Sequence, residues 1–310
     1  MFKLNFDCGR NIAYINGGEN NNEILYLNAD KNHQKQKQID MDEIAILIEN
    51  LYRSIRGNMS FKTLEQLRDA IISRKRPVNR ELKQHYDHAM NILENNKDSE
   101  IVLKEGTLIP MFDETLERQV FMISGMSGSG KSTYTSSLCR TYKKQFPTNK
   151  IILFSNKPED PVFDVLEYIE RIVINEDLLN DPITLNELRD SLVIFDDVEY
   201  STSKEVDKEL DRIRDLVLQQ GRSYKCSFAY ITHQSNNYKA TRTILNECNS
   251  VTIFPQMTTR YSLKYLLCNY FGFEKNDISK ICKLPSRHVT IFKSPPLVLY
   301  SSGAYLVNDV

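Results

Sequence analysis

Residues 120–138, VFMISGMSGSGKSTYTSSL, leave the chain little choice of fold. Val120 to Ile123 are an apolar run of strand type, and Gly125, Gly130, Lys131 and Ser132 then satisfy G-x-x-x-x-G-K-[ST]. Tyr134, Leu138, Tyr142 and Phe146 follow at a spacing of four, one face of a helix that Pro147 closes. Strand, glycine-rich turn and helix in this order make a phosphate-binding loop. Glycines let the chain turn tightly, so successive backbone N–H groups converge on a β-phosphate, and the helix start adds partial positive charge. Lys131 is placed for the β- and γ-phosphates, and the Ser132 hydroxyl for Mg²⁺. The expected nucleotide contacts are Gly125, Met126, Ser127, Gly128, Ser129, Gly130, Lys131, Ser132 and Thr133, with ATP, or GTP, as the ligand.

The 310 residues suffice for roughly two domains and a sizeable core. A formal net charge of −1 excludes a general electrostatic attraction to nucleic acid, so any such contact has to come from a local patch or an assembled ring. The six cysteines form no C-x-x-C pair and no metal-type spacing with histidine, which suits ordinary core residues in a reducing compartment. No run approaches membrane-span length and no secretory apolar segment opens the chain. The expectation is a soluble intracellular protein with no membrane partner.

Composition divides the chain near residue 118. Before it, ENNNE (19–23) and KNHQKQKQ (31–38) are polar runs with too little apolar surface to order themselves. Residues 1–40 are therefore expected to be poorly anchored, apart from any strand within the first 15. Amphipathic patterns at 41–55, 60–75 and 81–95 predict helices of an accessory region, 1–117. His85 and His88 stand one turn apart there without further clustered ligands, as on a solvated helix face.

From 118 to 310 short apolar runs alternate with helical ones, the mark of a mostly parallel sheet flanked by helices. Strands are expected at 150–155, 171–174, 191–200, 225–234 and 250–255, and helices at 203–220 and 262–272. Thr202 and Glu205 fit a capping box, and Gly221 a left-handed helix stop. The tail, 288–307, reads as antiparallel strands. The expected fold is α/β, a phosphate-loop NTPase domain with an N-terminal helical extension and C-terminal antiparallel strands.

LVIFDD (192–197) is an apolar strand that runs into two carboxylates. A buried unpaired charge is costly, so a cation is the expected compensation: Mg²⁺ held through Asp196. Asp197 is placed to orient the attacking water, with Glu199 as a minor candidate. The strand in 225–234 ends in Thr232, His233 and Gln234, at the carboxyl edge where open α/β sheets bind ligands. Gln234 suits a γ-phosphate sensor or water holder, and His233 a structural hydrogen bond. Arg222, before that strand, reads either as an arginine finger for a neighbouring subunit or as a surface arginine.

GMSGSGKS (125–132), LVIFDD (192–197) and GRSYKCSFAYITHQ (221–234) together resemble the additional-strand class of phosphate-loop ATPases. Within that class the likeness is to the genome-packaging ATPases of nucleocytoplasmic large DNA viruses, members of the FtsK–HerA superfamily. The last block resembles that family's Gly-Arg-His, apolar-strand, terminal-Gln pattern, with Ser223 where the family usually shows histidine. The resemblance covers about 118–255; the N-terminal helices and C-terminal strands carry no part of it.

The resemblance implies a sensor strand between the loop strand and the acidic strand. It also implies a homo-oligomeric ring that hydrolyses ATP to move double-stranded DNA into a capsid, in host cytoplasm or virion. Each site would lie between subunits, with Arg222 or Arg242 acting across the interface, and a capsid or portal-like protein as partner. SNNYKATR (235–242) is read as a DNA- or partner-facing loop or a solvated connection. A ring multiplies such contacts, so a near-neutral chain still grips phosphates. Two other readings stay open. One is a small-molecule or nucleotide kinase, since GMSGSGKST alone also resembles kinase loops, although no arginine-rich lid follows residue 200. The other is a virion protein that uses nucleotide only structurally, against which stands the acidic pair.

Overall fold

The computed structural model describes residues 2–29, 100–198, 203–233 and 238–307, with the isolated positions 80 and 84. Segments 31–38, 41–55 and 60–75, and all of 81–95 but Gln84, lie outside them, as do His85, His88, Glu199, Thr202 and Gln234.

The chain opens with β1 (Phe2–Asn5), β2 (Arg10–Asn16) and β3 (Ile24–Ala29), and resumes with β4 (Glu100–Val102) and β5 (Thr107–Pro110). An antiparallel sheet of order β1-β3-β2-β5 results. This corrects the expectation of a poorly anchored start. ENNNE is the tip of the β2–β3 hairpin, where Asn21 Oδ1 accepts from Gly17 N–H at 2.8 Å. Its order comes from the flanks, since Ile12, Ala13, Ile15, Leu25 and Leu27 are all buried.

The larger sheet has ten strands in the order β4-β14-β13-β12-β11-β6-β10-β9-β7-β8. Its parallel part comprises β6 (Val120–Ser124), β7 (Lys150–Ser155), β8 (Ile169–Val173), β9 (Ser191–Asp196), β10 (Ser227–Thr232) and β11 (Ser250–Ile253). Antiparallel β12 (Val289–Lys293), β13 (Pro296–Tyr300) and β14 (Gly303–Leu306) extend it, and β4 closes that edge. The expected sensor strand, β10, lies between β6 and β9.

Strands buried on both faces read as continuous apolar runs, and VFMI and LVIF do so. On one face Met122, Phe154, Phe195 and Tyr230 meet Val206, Leu210, Ile213 and Val217 of the helix Lys204–Gln220. On the other, Phe121, Ile123, Leu153 and Ile194 meet Tyr134, Leu138 and Tyr142 of the helix Lys131–Gln145. A third core joins the small sheet to the extension, packing Leu4, Ile12, Leu25 and Leu108 on Phe292, Leu297 and Leu299. The helices Arg260–Phe271 and Lys275–Lys283 pack Leu263, Leu266, Leu267 and Ile281 into the first core.

Two local expectations change. Ser203 caps the helix Lys204–Gln220, accepting from Val206 N–H at 3.2 Å. Gly221 stays right-handed at φ −57° and starts a 3₁₀ turn; Lys225, at φ 51°, is the left-handed residue. Gly221 serves instead by lacking a side chain: a Cβ there would stand 3.3 Å from Arg118 Nη1. Arg118 passes close by to donate to the helix's terminal carbonyls, Val217 O and Leu218 O. Among the cysteines, Cys139, Cys226 and Cys248 are buried, with thiols pushed up by burial to about 12, 11 and 11, whereas Cys8 is exposed.

Candidate functional site

Parallel strands share one carboxyl edge, and that shared direction gathers the site. After β6 the loop turns through Gly130, at φ 107°, a left-handed backbone that a side chain would strain. Gly130 also precedes the helix Lys131–Gln145 and offers no capping side chain. The helix's partial positive charge thus faces whatever the loop holds. Lys131 begins that helix, is 7% exposed, and its ammonium donates to Gly125 O at 2.8 Å and Met126 O at 3.1 Å.

Lys131 Nζ also lies 3.1 Å from His233 Nδ1. An ammonium only donates, so Nδ1 accepts and the imidazole proton sits on Nε2. That Nε2 reaches Asp197 Oδ1 at 2.6 Å, while Lys157 Nζ donates to Asp197 Oδ2 at 2.6 Å. Three side chains, His233, Asp197 and Lys157, thus link the ends of β10, β9 and β7 to the loop lysine. His233 carries the structural hydrogen bond expected of it, and joins the loop lysine to the second aspartate. Asn156 Nδ2 adds a bond to Asp197 O at 2.6 Å. Asp197 itself sits at φ 55°, a left-handed conformation that Asp tolerates better than most residues.

The two carboxylates differ electrically. Burial, reinforced by the neighbouring charge of Asp197, pushes Asp196 up to about 6. Burial also acts to raise Asp197, but hydrogen bonds from Lys157 and His233 outweigh it and hold Asp197 below the usual carboxylate range. Lys157 is raised in return by its bond to Asp197. Among the described residues, Asp196 Oδ2 and Ser129 Oγ are buried without a hydrogen-bond partner. Such an orphaned carboxylate oxygen, beside the phosphate loop's acidic neighbour, is the donor chemistry of a hard divalent cation, so the residues present fit Mg²⁺.

A cavity of about 240 Å³ opens beside Gly130 and Thr133, walled by Tyr134, Phe254 and His288. Burial, then the charge of Arg287, lowers the His288 pKa, which favours its neutral ring here. Lys157, Asn156 and Arg287 escaped the sequence reading. Lys157 follows an expected strand, and the rule that ligands gather at carboxyl ends points to it once the strand order is known. Arg287 comes from beyond the stretch covered by the family resemblance.

Not every expected residue joins the site. Arg222 precedes β10 in the chain and therefore lies at the opposite edge of the sheet, about 20 Å away for six strand residues. It pairs there with Glu117 at 2.6 Å, so its loop lies away from this chain's own active edge. Arg242 lies in the helix Tyr238–Glu247, which leaves the active edge after β10. Gln234 and Glu199 lie outside the described residues.

No protein-family model matches the chain. Solved structures similar to it at 12% identity include the following three. The DNA-packaging ATPase B204 of Sulfolobus turreted icosahedral virus has a TM-score of 0.43, over 60% of this chain and 97% of that one. The pCW3 conjugation coupling protein TcpA with ATPγS scores 0.44, over 66% and 65%. The cytoplasmic domain of the Thermomonospora curvata Type VII secretion ATPase EccC scores 0.45, over 68% and 29%. An uncharacterised protein, V3, of the Sputnik virophage is 35% identical over 209 residues, which are 66% of this chain and 84% of V3. The chain resembles the viral genome-packaging ATPases, and it belongs to the family of V3.

Proposed function

We propose that the chain is an ATP-hydrolysing motor subunit that couples hydrolysis to movement of double-stranded DNA into a capsid. One observation carries this: the phosphate loop and the acidic pair stand at one sheet edge on β6 and β9, with β10 between them. Lys131 and the backbone of 125–133 bind the triphosphate, and the cavity beside Gly130 takes its nucleoside. Ser132 and Asp196 hold Mg²⁺, which when bound neutralises charge on the phosphates. Asp197, kept ionised, orients the attacking water rather than stripping a proton from it, since a depressed carboxylate is a weak base. Gln234 reports on the γ-phosphate. A homo-oligomeric ring places a second subunit against this edge, and a capsid or portal-like protein receives the assembly. The relatives named packaging, conjugation and secretion ATPases support a motor of this kind.

The test is ATP turnover with and without duplex DNA, single-stranded DNA and small-molecule acceptors. Turnover should rise with duplex DNA and assembly, and the rise should fade with salt as phosphate contacts displace counterions. Whichever of Arg222 and Arg242 acts across the subunit interface, its alanine variant should lower assembled turnover on the order of 10³-fold, and the other should leave it unchanged. A monomer at full speed, indifferent to DNA, defeats the motor; phosphate transfer to an acceptor makes the chain a kinase.

A further inference from the structure

We infer that Arg287 is a positioning residue for the phosphate loop, holding its outer carbonyls so that its N–H groups face the bound phosphates. The inference rests on the nucleotide-binding reading above. Arg287 Nε donates to Ser129 O at 2.7 Å, and its Nη2 donates to Gly128 O at 2.9 Å. Within a trans peptide plane the C=O and the following N–H point in opposite directions. Holding the carbonyls of 128 and 129 from outside therefore turns the N–H groups of Ser129 and Gly130 toward the inside. Ser129 N–H meanwhile closes a turn onto Met126 O at 3.2 Å, a long bond that a phosphate oxygen can replace. Two forked donors from one planar group fix two adjacent peptides in a set relative geometry, which an ammonium on a flexible stem does not impose.

The strut has a firm base. Ser286 Oγ donates to His288 O at 2.6 Å and accepts from Ser301 N–H at 3.1 Å, tying the Arg287 backbone to the β13–β14 turn. Leu108 N–H donates to Ser301 O at 2.8 Å, so β5 holds that turn in place. The same extension grips the loop's other end independently. Tyr134 Oη, Thr252 Oγ1 and Thr290 Oγ1 form a buried triangle with 2.9 Å sides. The Gly130 position is filled to match: a Cβ there would sit 3.3 Å from Arg287 Nε.

The test uses the full chain with Arg287→Ala and Arg287→Lys. Peptide hydrogen exchange across 122–134, without nucleotide, should quicken on the order of 10-fold in Arg287→Ala and less in Arg287→Lys. ATP and ADP affinity should fall roughly 10-fold or more, AMP affinity less than about 2-fold, because AMP lacks the β-phosphate that the loop cradles. Free guanidinium, too dilute to unfold the chain, should restore part of the loss in Arg287→Ala. Parental exchange and ATP affinity in Arg287→Ala overturn the strut, as does an equal loss for AMP and ATP. A parent that binds no ATP defeats the nucleotide reading instead, and the exchange comparison still decides whether Arg287 orders the loop.

Discussion

The parallel and antiparallel halves of the main sheet differ in what they contribute. Every linked polar group of the site except Arg287 stands at the carboxyl ends of β6, β7, β9 and β10, or in the loop and helix that follow β6. Strands running one way bring their ends to one edge, so distant segments pool their side chains there. The antiparallel half alternates its ends and supplies no such cluster. It supplies anchorage: Arg287 beneath the loop carbonyls, Thr290 against Tyr134, and the floor on which β1–β3 pack. The phosphate loop is therefore a chemical motif from one half mounted on a bracket from the other.

The sharpest way to break this division is to strike the chemistry alone. Lys131→Ala should abolish turnover and weaken nucleotide binding without unfolding the chain, because it removes the main charge on the β- and γ-phosphates. Asp197→Asn should keep binding and slow hydrolysis on the order of 10²-fold or more, since only the transition state needs the water held in line. Steady-state turnover beside equilibrium ATP binding separates the two effects. Parental turnover in Asp197→Asn would pass the role to Glu199.

The converse strikes the mounting. Phe292 is buried between the small sheet and β12–β14, and Phe292→Ala should cost about 3–5 kcal/mol in urea unfolding. If the halves form one cooperative unit the transition stays single. A separate early transition in the variant would instead make the small sheet and extension a domain of their own.

How much of this was legible follows the same division. The strand–loop–helix at 120–145 and LVIFDD combine local pattern with fixed spacing, so both were readable, as was the place of the sensor strand. The N-terminal sheet was not. ENNNE judged by itself is too polar to order, and what orders it is contact between Ile12 or Leu25 and residues near 297. Arg287 was hidden for the same reason, being 157 positions from Gly130 by numbering. The place of Arg222 was readable in another way. A strand that ends at His233 in the site must begin at the far edge, so the loop before it could have been placed from direction alone.

Asp196 tests the electrostatic side of the comparison. Its native pKa, about 6, lies above the unfolded value near 3.8, so the native state holds the proton more tightly. Its stabilising contribution is full below pH 3.8 and is lost as pH rises through about 6, about 3 kcal/mol in all at about 1.4 per unit. Asp197, depressed, works the other way, so the difference between parent and Asp196→Asn is the quantity to follow. Urea unfolding of the nucleotide-free proteins should show Asp196→Asn gaining on the parent between pH 4 and pH 7. A difference that does not change with pH would mean that Asp196 is not held above its ordinary range.

The smallest effect falls on the join between the halves. Tyr134 comes from the phosphate-loop helix, Thr252 from the parallel β11 and Thr290 from the antiparallel β12, and all three hydroxyls are buried. Tyr134→Phe removes one corner and leaves the two threonines bonded to each other at 2.9 Å, so no donor is stranded. The cost should therefore stay near the net worth of ordinary hydrogen bonds, about 1–1.5 kcal/mol. Thr290→Val likewise leaves Thr252 bonded to Tyr134, and the double variant leaves only Thr252. Because the three groups satisfy one another, the double variant should lose more than the sum of the singles, as one hydroxyl is then buried alone. Urea unfolding of the four proteins measures that coupling. Strict additivity would mean that the corners act separately.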